Sequence, residues 1–186
     1  MIKKLCVASS LLLLASTAFA DFNPAPYVGG GIGIVTHADK QLGVYRGLPF
    51  EVFAGYGGLI TRHFYLSGEL GATLLTAELG NNSYGLETNR AYMFSVLPGV
   101  LINNSTIGFV RAGILRTWFE SPKESTYGLR LGFGLQTEIT PNLSVRGEYD
   151  LTVYQEDITR TSVYGLTLKR SPRSDGGNLD FIYKFA

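Results

Sequence analysis

The sequence has very little cysteine and histidine. Its only cysteine, Cys6, lies in an apolar N-terminal segment, and its two histidines are His37 and His63. Without a second cysteine the chain can form neither an internal disulfide nor a metal site built from several thiolates. Its stability must therefore come from burial of side chains or from a membrane.

Long apolar runs are absent after the first 20 residues. The N-terminal stretch "MIKK" is basic, and the apolar run "LCVASSLLLLASTAFA" ends in the A-x-A pattern that precedes signal peptidase cleavage. This run is about 15 residues long, shorter than the roughly 20 that a spanning helix needs. We expect residues 1–20 to be a signal peptide, residues 21–186 to form one domain, and no helix in that domain to span a membrane.

Neither sign of charge dominates the chain. Removal of residues 1–20 leaves 14 basic and 15 acidic residues, a net charge of −1. A nearly neutral chain offers no broad basic surface to nucleic acid. We therefore expect no nucleic-acid partner.

Two-residue alternation is abundant instead. In "PYVGGGIGIVT", Val28, Ile32 and Ile34 alternate with Tyr27 and glycines, which is the periodicity of a strand. Seven more segments alternate similarly: "PFEVFAGYGGLI", "HFYLSGELGATLL", "RAYMFSVLPGVLI", "TIGFVRAGILRTWF", "TYGLRLGFGLQTEI", "NLSVRGEYDLTVY" and "NLDFIYKFA". Most exceed the usual five or six residues, and about ten residues suit a tilted crossing of a bilayer.

The connections between these segments alternate in length. Short links occur around Thr61 and Arg62, at "NNS" and at "TPN". Long polar links occur at "HADKQLGVYRG", "TAELGNNSYGLETN", "ESPKES" and from Gln155 to Gly177. Short periplasmic turns and long extracellular loops are typical of outer-membrane barrels. We therefore predict an all-β fold, an eight-stranded antiparallel up-and-down transmembrane β-barrel with both termini on the periplasmic side.

The polar face of the strands indicates which side is the lumen. A soluble eight-stranded barrel would also alternate, but this face combines glycine with charges of both signs, which suits a narrow interior. Parity with neighbouring glycines places seven charged residues in the lumen: Glu51, Glu69, Arg111, Arg130, Glu138, Arg146 and Glu148. Side chains fill a barrel of eight strands, and buried charges must be paired. We predict an ion-paired, plugged interior.

The outward face is predicted to be apolar with an interfacial rim. In the fourth segment Tyr92, Phe94 and Val96 are expected to face lipid, and Arg90 to lie at the extracellular rim, where a long side chain can reach water. Aromatic residues near strand ends are expected to form two interfacial girdles: Tyr27, Tyr56, Phe64, Tyr92, Phe109, Trp118, Phe119, Tyr127, Tyr149, Tyr183 and Phe185.

The order of these motifs resembles a known family. The leader, "PYVGGGIGIVT", "HFYLSGELG", "LPGVLI", "NLSVRGEYD" and the terminal "YKF" are similar to the OmpA/OmpX/opacity group of small outer-membrane barrels. The resemblance implies an eight-stranded barrel, inserted by an assembly machinery that recognises a C-terminal aromatic strand. In this chain Ala186 follows Phe185, whereas the family usually ends on the aromatic residue.

The last strand must close the barrel, since lipid tolerates no open sheet edge. We expect Asp180 and Lys184 to face the lumen and to share the strand with four lipid-facing residues: Leu179, Phe181, Tyr183 and Phe185. The segment 161–171 alternates as well and is either a loop hairpin or a further barrel strand. The hairpin is preferred because a ninth strand would end on the wrong side.

No catalytic, cofactor-binding or metal-ligating residues are expected. His37, in the first long loop, and His63, at a periplasmic turn, should lie at opposite ends of the barrel, so they cannot share a site. We expect neither an enzyme nor a cofactor.

The predicted location is the bacterial outer membrane, and the predicted role is structural, or adhesion and host interaction through the loops, as the family resemblance implies. The alternatives are a small channel or hydrophobic-solute conduit and, less favoured, an enzyme that modifies lipid A. Expected partners are outer-membrane lipid, the barrel assembly machinery, and host or envelope proteins.

Overall fold

The computed structural model describes residues 24–39, 43–78, 88–119, 125–155, 160–161, 167–168 and 173–185. The predicted signal peptide, Cys6 and Ala186 lie outside these ranges. The strands are β1 (Ala25–Asp39), β2 (Gly43–Leu59), β3 (Phe64–Glu78), β4 (Thr88–Asn103), β5 (Thr106–Phe119), β6 (Ser125–Thr140), β7 (Leu143–Tyr154), β8 (Arg160–Thr161), β9 (Thr167–Leu168) and β10 (Arg173–Lys184). The described residues include no helix long and apolar enough to cross a membrane.

Eight of these strands form a closed antiparallel barrel in the order β1-β10-β7-β6-β5-β4-β3-β2. The last strand pairs with the first, with Tyr27 opposite Lys184 and Ala38 opposite Arg173. Closure leaves no sheet edge, as the predicted final strand requires. The predicted fold class is confirmed.

The two short strands form a separate sheet. Arg160 lies opposite Leu168, and Thr161 lies opposite Thr167, in an antiparallel pair outside the barrel. The described residues of the segment 161–171 therefore favour the hairpin alternative over a further barrel strand, and residues 178–184 belong to the eighth barrel strand.

Exposure is inverted relative to a water-soluble protein. Arg146 and Glu69 are 0% and 1% exposed, whereas Leu70 and Phe133 are 66% and 63% exposed. Successive side chains of a strand point to opposite faces, so one face of each strand is apolar and the other lines the interior. An apolar outer band around a polar interior is the arrangement of a transmembrane barrel.

Side-chain oxygens stabilise the three tight turns. Thr61 Oγ1 accepts a hydrogen bond from Phe64 N (3.1 Å), and Thr140 Oγ1 accepts one from Leu143 N (3.1 Å). At the β4–β5 turn, Asn103 Oδ1 accepts from the backbone N of both Ser105 (3.0 Å) and Thr106 (2.9 Å). Such side-chain caps replace backbone partners in tight turns.

Two placements from the sequence are wrong. His37 is not in a loop, because β1 continues to Asp39 and His37 pairs with Tyr45 and Ser174. Tyr27 and Phe109 are not girdle residues, since both are buried in the interior, 3% and 5% exposed. In both cases strand pairing and parity decide the position rather than composition.

The C-terminal strand has the predicted faces. Its four apolar and aromatic side chains point outward and are about half exposed: Leu179, Phe181, Tyr183 and Phe185. Asp180 is buried in the lumen. Phe185 follows the strand, and its backbone N donates to Pro26 O at 3.0 Å, so Phe185 is tied to β1.

Candidate functional site

Glu69 is the centre of the ion-pair network inside the barrel. Its carboxylate lies 2.8 Å from Arg111 Nη1 and 2.7 Å from Arg146 Nη2, and it accepts a 2.8 Å hydrogen bond from Tyr27 Oη. Arg111 also forms a two-pronged pair with Glu148, in which Nη2 and Oε2 are 2.9 Å apart. Planar guanidinium groups suit such forked contacts.

The guanidinium of Arg146 lies between two aromatic rings. Its Cζ is 5.0 Å from the centroid of Phe53 and 5.2 Å from that of Phe109. Nη2 and Nε donate to Gln136 Oε1 at 2.9 and 3.2 Å. Cation–π contacts strengthen when both groups are withdrawn from water, so the two rings add to the hydrogen bonds made by Nη2 and Nε, while Nη1 has no hydrogen-bond partner among the described residues.

A second cluster is centred on Arg130. Its Nη1 lies 3.2 Å from Glu51 Oε1, and its Nε lies 3.4 Å from Asp150 Oδ1. Thr73 Oγ1 donates to Glu51 at 3.2 Å, and Asn178 Nδ2 donates to Asp150 at 3.0 Å. Neutral hydrogen-bonding groups thus share in holding the two acids of this cluster, whereas Arg130 Nε has no hydrogen-bond partner among the described residues.

Two of these ion pairs cross the full width of the barrel. Arg146 on β7 meets Glu69 on β3, and Arg130 on β6 meets Glu51 on β2. In both cases the two strands are four positions apart around the eight-stranded ring, so they form opposite walls. Reaching across the lumen is feasible because an eight-stranded barrel is only wide enough for its side chains to fill.

All seven predicted charged residues face the interior. Glu138 differs from the other six because it lies near the periplasmic end, where it pairs with Lys184 Nζ at 2.7 Å and is partly exposed. Two further acids are buried beside these seven, Asp150 and Asp180. Asp180 was expected to face the lumen, and Asp150 has the parity of its inward-facing neighbours Arg146 and Glu148, but neither was counted among the paired charges. Asp180 Oδ1 has no hydrogen-bond partner among the described residues.

The free space around this network is small. A cavity of about 10 Å³ lies between the two clusters, bordered by Glu51, Arg111 and Asp180, and one of about 30 Å³ lies beside Arg130. About 10–15 Å³ holds one water molecule. The described interior therefore has space for isolated waters between ion pairs.

The described residues were also compared with the requirements of a metal site. No group of three or more His, Cys, Asp and Glu in these ranges could hold a metal ion. His63 lies in the β2–β3 turn, and His37 lies near the other end of β1. The two histidines are thus at opposite ends of the barrel, as predicted.

Comparison with known proteins gives a family and several similar folds. A family model described as outer membrane protein beta-barrel domain matches residues 6–171. No curated protein sequence matches this chain. Neisserial surface protein A has 14% identity over 88% of this chain and 99% of its own, with a TM-score of 0.47. Ail, the attachment invasion locus protein of Yersinia pestis, has 17% identity over 88% and 99%, with a TM-score of 0.49. OprG of Pseudomonas aeruginosa has 11% identity over 87% and 96%, with a TM-score of 0.42.

The family match covers most of the chain and agrees with the architecture. A closed barrel with an apolar outer band and a charged interior is the form in which strands cross the outer membrane. The chain belongs to the outer membrane protein beta-barrel domain family and is a protein of the bacterial outer membrane.

Proposed function

We propose that the barrel is a non-conducting, non-enzymatic anchor that presents its extracellular loops for adhesion, or for contact with host or envelope molecules. The observation that carries the proposal is the pair of ion bridges between opposite walls, Arg146 with Glu69 and Arg130 with Glu51. A lumen crossed at two levels offers no continuous path for solutes, so a role in transport is disfavoured.

The lengths of the strands support a surface role. Strands β2, β4 and β6 contain 17, 16 and 16 residues, whereas about 9–11 tilted residues cross the bilayer. The tight turns hold one end of the barrel near the membrane, so the excess length extends the other end beyond it. The connections from β3 to β4, from β5 to β6 and from β7 to β10 leave the barrel strands at that raised end.

Conductance in planar bilayers separates the anchor from the channel alternative. We expect the wild-type protein to show no stable, large open state. The double variant Glu69→Ala with Arg146→Ala should show more frequent openings, because it removes one bridge between opposite walls. Glu138→Ala is the matched control, since its pair with Lys184 lies at the partly exposed periplasmic end. A large, stable open state of the wild-type protein would contradict the proposal.

The role of the loops is tested by replacing them. Residues 79–87 and 120–124 can each be exchanged for a short Gly-Ser linker, leaving the described barrel strands intact. We expect the exchanged proteins to keep the faster migration of an unheated barrel on a gel, while bacteria that carry them bind less to host cells or matrix. Unchanged binding with correct assembly would contradict the adhesive role.

A further inference from the structure

Five side chains form a cluster on the outer surface of β4, β5 and β6, which we call the Trp118 cluster: Arg90, Tyr92, Arg116, Trp118 and Tyr127. The indole of Trp118 lies beside two guanidinium groups, with 5.6 Å from its centroid to Arg90 Cζ and 4.9 Å to Arg116 Cζ. Arg116 Cζ is also 5.3 Å from the ring centroid of Tyr127, and Tyr92 meets Trp118 edge to face at 5.4 Å.

Strand pairing brings these residues together. Arg90 lies opposite Trp118, Tyr92 lies opposite Arg116, and Arg116 lies opposite Tyr127 on the other neighbouring strand. All five point away from the lumen, because they have the parity of exposed residues on their strands. The aromatic rings limit the freedom of both guanidinium groups, so little further ordering is needed when a ligand binds.

The two arginines of the cluster differ from those inside the barrel in having no acidic partner among the described residues. The interior arginines each pair with carboxylates, whereas Arg116 has only a 3.1 Å hydrogen bond from Nη2 to Ser125 Oγ. Within the described ranges, no carboxylate therefore offsets the charge of these two guanidinium groups. Forked guanidinium donors match the oxygens of a phosphate.

The position of the Trp118 cluster along the barrel axis indicates where a bound anion would come from. The next outward residues towards the tight turns are apolar and exposed: Phe94, Ile114 and Leu129. The cluster therefore lies at the upper edge of the lipid-facing band, on the side of the long connections, which is the extracellular side of such barrels. Tyrosine and tryptophan rings favour this interface because one end of each ring system is apolar and the other is polar.

We propose that Arg90 and Arg116, which both lie over the ring of Trp118, bind phosphate of a phosphorylated glycolipid in the outer leaflet. The guanidinium groups contact phosphate oxygens, and Tyr92 and Tyr127 pack beside the lipid at the level where its headgroup meets its acyl chains. The site is separate from the interior network and does not depend on the role of the loops.

The single tryptophan makes the proposal directly measurable. Trp118 is the only tryptophan of the chain, so its emission reports on the cluster alone. The protein is reconstituted in phosphatidylcholine nanodiscs that contain increasing fractions of bisphosphorylated lipid A, and the change in emission is followed to saturation. Dephosphorylated lipid A and inorganic phosphate in solution are tested in the same way.

The test variant is R90Q/R116Q, and the matched control is R46Q/R173Q. Arg46 and Arg173 are exposed on β2 and β10, towards the same end of the barrel, so the control removes the same charge without touching the cluster. We expect the test variant to need an at least about tenfold higher lipid A fraction for half-saturation than the control, because the loss of a single charge-assisted contact already weakens binding about tenfold and this variant loses two. Dephosphorylated lipid A should bind weakly to the wild type, and inorganic phosphate should not change the emission.

Three results would overturn the proposal. Equal weakening in the two double variants would show a diffuse electrostatic attraction. Equal binding of dephosphorylated lipid A would show that no phosphate is recognised. Saturation of the same response by inorganic phosphate would assign the site to a soluble anion. Faster migration of each unheated variant on a gel confirms that it is folded before the titration is read.

Discussion

Arg146 on β7 and Glu69 on β3 form an ion pair across the full width of the barrel, with Nη2 and Oε1 2.7 Å apart. Their side chains are 0% and 1% exposed. Each side chain neutralises the charge of the other in an interior that bulk water does not reach. The pair therefore holds two opposite walls together. The stability of the barrel should therefore depend on its interior polar residues more than on its rim.

Glu69→Gln should lower the free energy of unfolding by about 3–5 kcal/mol, because it leaves Arg111 and Arg146 beside a neutral amide in the interior. Unfolding in urea of the lipid-embedded protein, followed by Trp118 fluorescence, measures this loss. The control Glu138→Gln breaks a pair whose side chains are 35% and 28% exposed, and it should cost less than about 1 kcal/mol. Similar losses in the two variants would show that the interior pairs are not the stabilising ones.

Arg146→Lys should be destabilising although it keeps the charge. A lysine cannot contact Glu69 and Gln136 while placing a flat cation between the rings of Phe53 and Phe109. We expect a loss of about 2 kcal/mol or more in the same urea experiment, from the lost ring and hydrogen-bond contacts. Arg62→Lys in the exposed β2–β3 turn is the control and should leave the midpoint unchanged. An equally stable Arg146→Lys protein would show that charge alone matters at this position.

Two glycines of the barrel should respond oppositely to alanine. A Cβ at Gly57 would lie 2.5 Å from both Leu66 O and Ser67 Cα, which are backbone atoms of the neighbouring strand. Gly57→Ala should therefore cost about 1–3 kcal/mol through overpacking. A Cβ at Gly147 would meet nothing within 4 Å, so Gly147→Ala should keep stability or raise it by up to about 1 kcal/mol. The measurement is the urea concentration at the midpoint of unfolding. Equal shifts of this midpoint in the two variants would disprove the packing argument.

Truncation of the C terminus should separate two adjacent residues. The ring of Phe185 meets that of Tyr183 edge to face at 5.2 Å, and its backbone N donates to Pro26 O. A chain that ends at Lys184 should accumulate poorly in the outer membrane, whereas a chain that ends at Phe185 should assemble like the full chain. The heat-modifiable band in the outer-membrane fraction measures assembly.

Refolding of the same two truncated chains in detergent distinguishes a signal from a structural contact. If the assembly machinery recognises the terminal aromatic residue, both truncated chains should refold equally well in detergent, where the machinery is absent. They should differ only when they are assembled in the cell. Equal assembly of both chains in the cell would show that Phe185 is not part of the signal.

The two-residue alternation predicts the faces of the strands reliably. The placement of Glu69, Arg111 and Arg146 in the interior needed no tertiary information, because a side chain's face depends only on its parity along a strand. The same rule should have overruled the girdle assignment of Tyr27, whose ring occupies the space beside Gly55 in the lumen: a Cβ at Gly55 would lie 2.5 Å from Tyr27 Oη. Aromatic residues near strand ends are therefore informative only after parity is applied.

The extent of the strands was less accessible. The polar composition of "HADKQLGVYRG" predicts a loop, yet β1 and β2 remain paired up to Asp39 and Gly43. Above the membrane a strand no longer needs an apolar face, so polarity does not mark its end. The prediction that His37 lies in a loop was wrong for this reason.

The sequence by itself determined the face on which the interior charges lie and the positions of the three tight turns, and it predicted eight barrel strands while leaving residues 161–171 open as a further one. Only the tertiary structure decided that Arg146 meets Glu69 across the lumen and that Arg90 and Arg116 share the ring of Trp118. Alternation is a local property with a period of two residues. Contacts across or around a closed barrel depend instead on the register and stagger accumulated over several strand pairs. No single segment of the sequence contains that information.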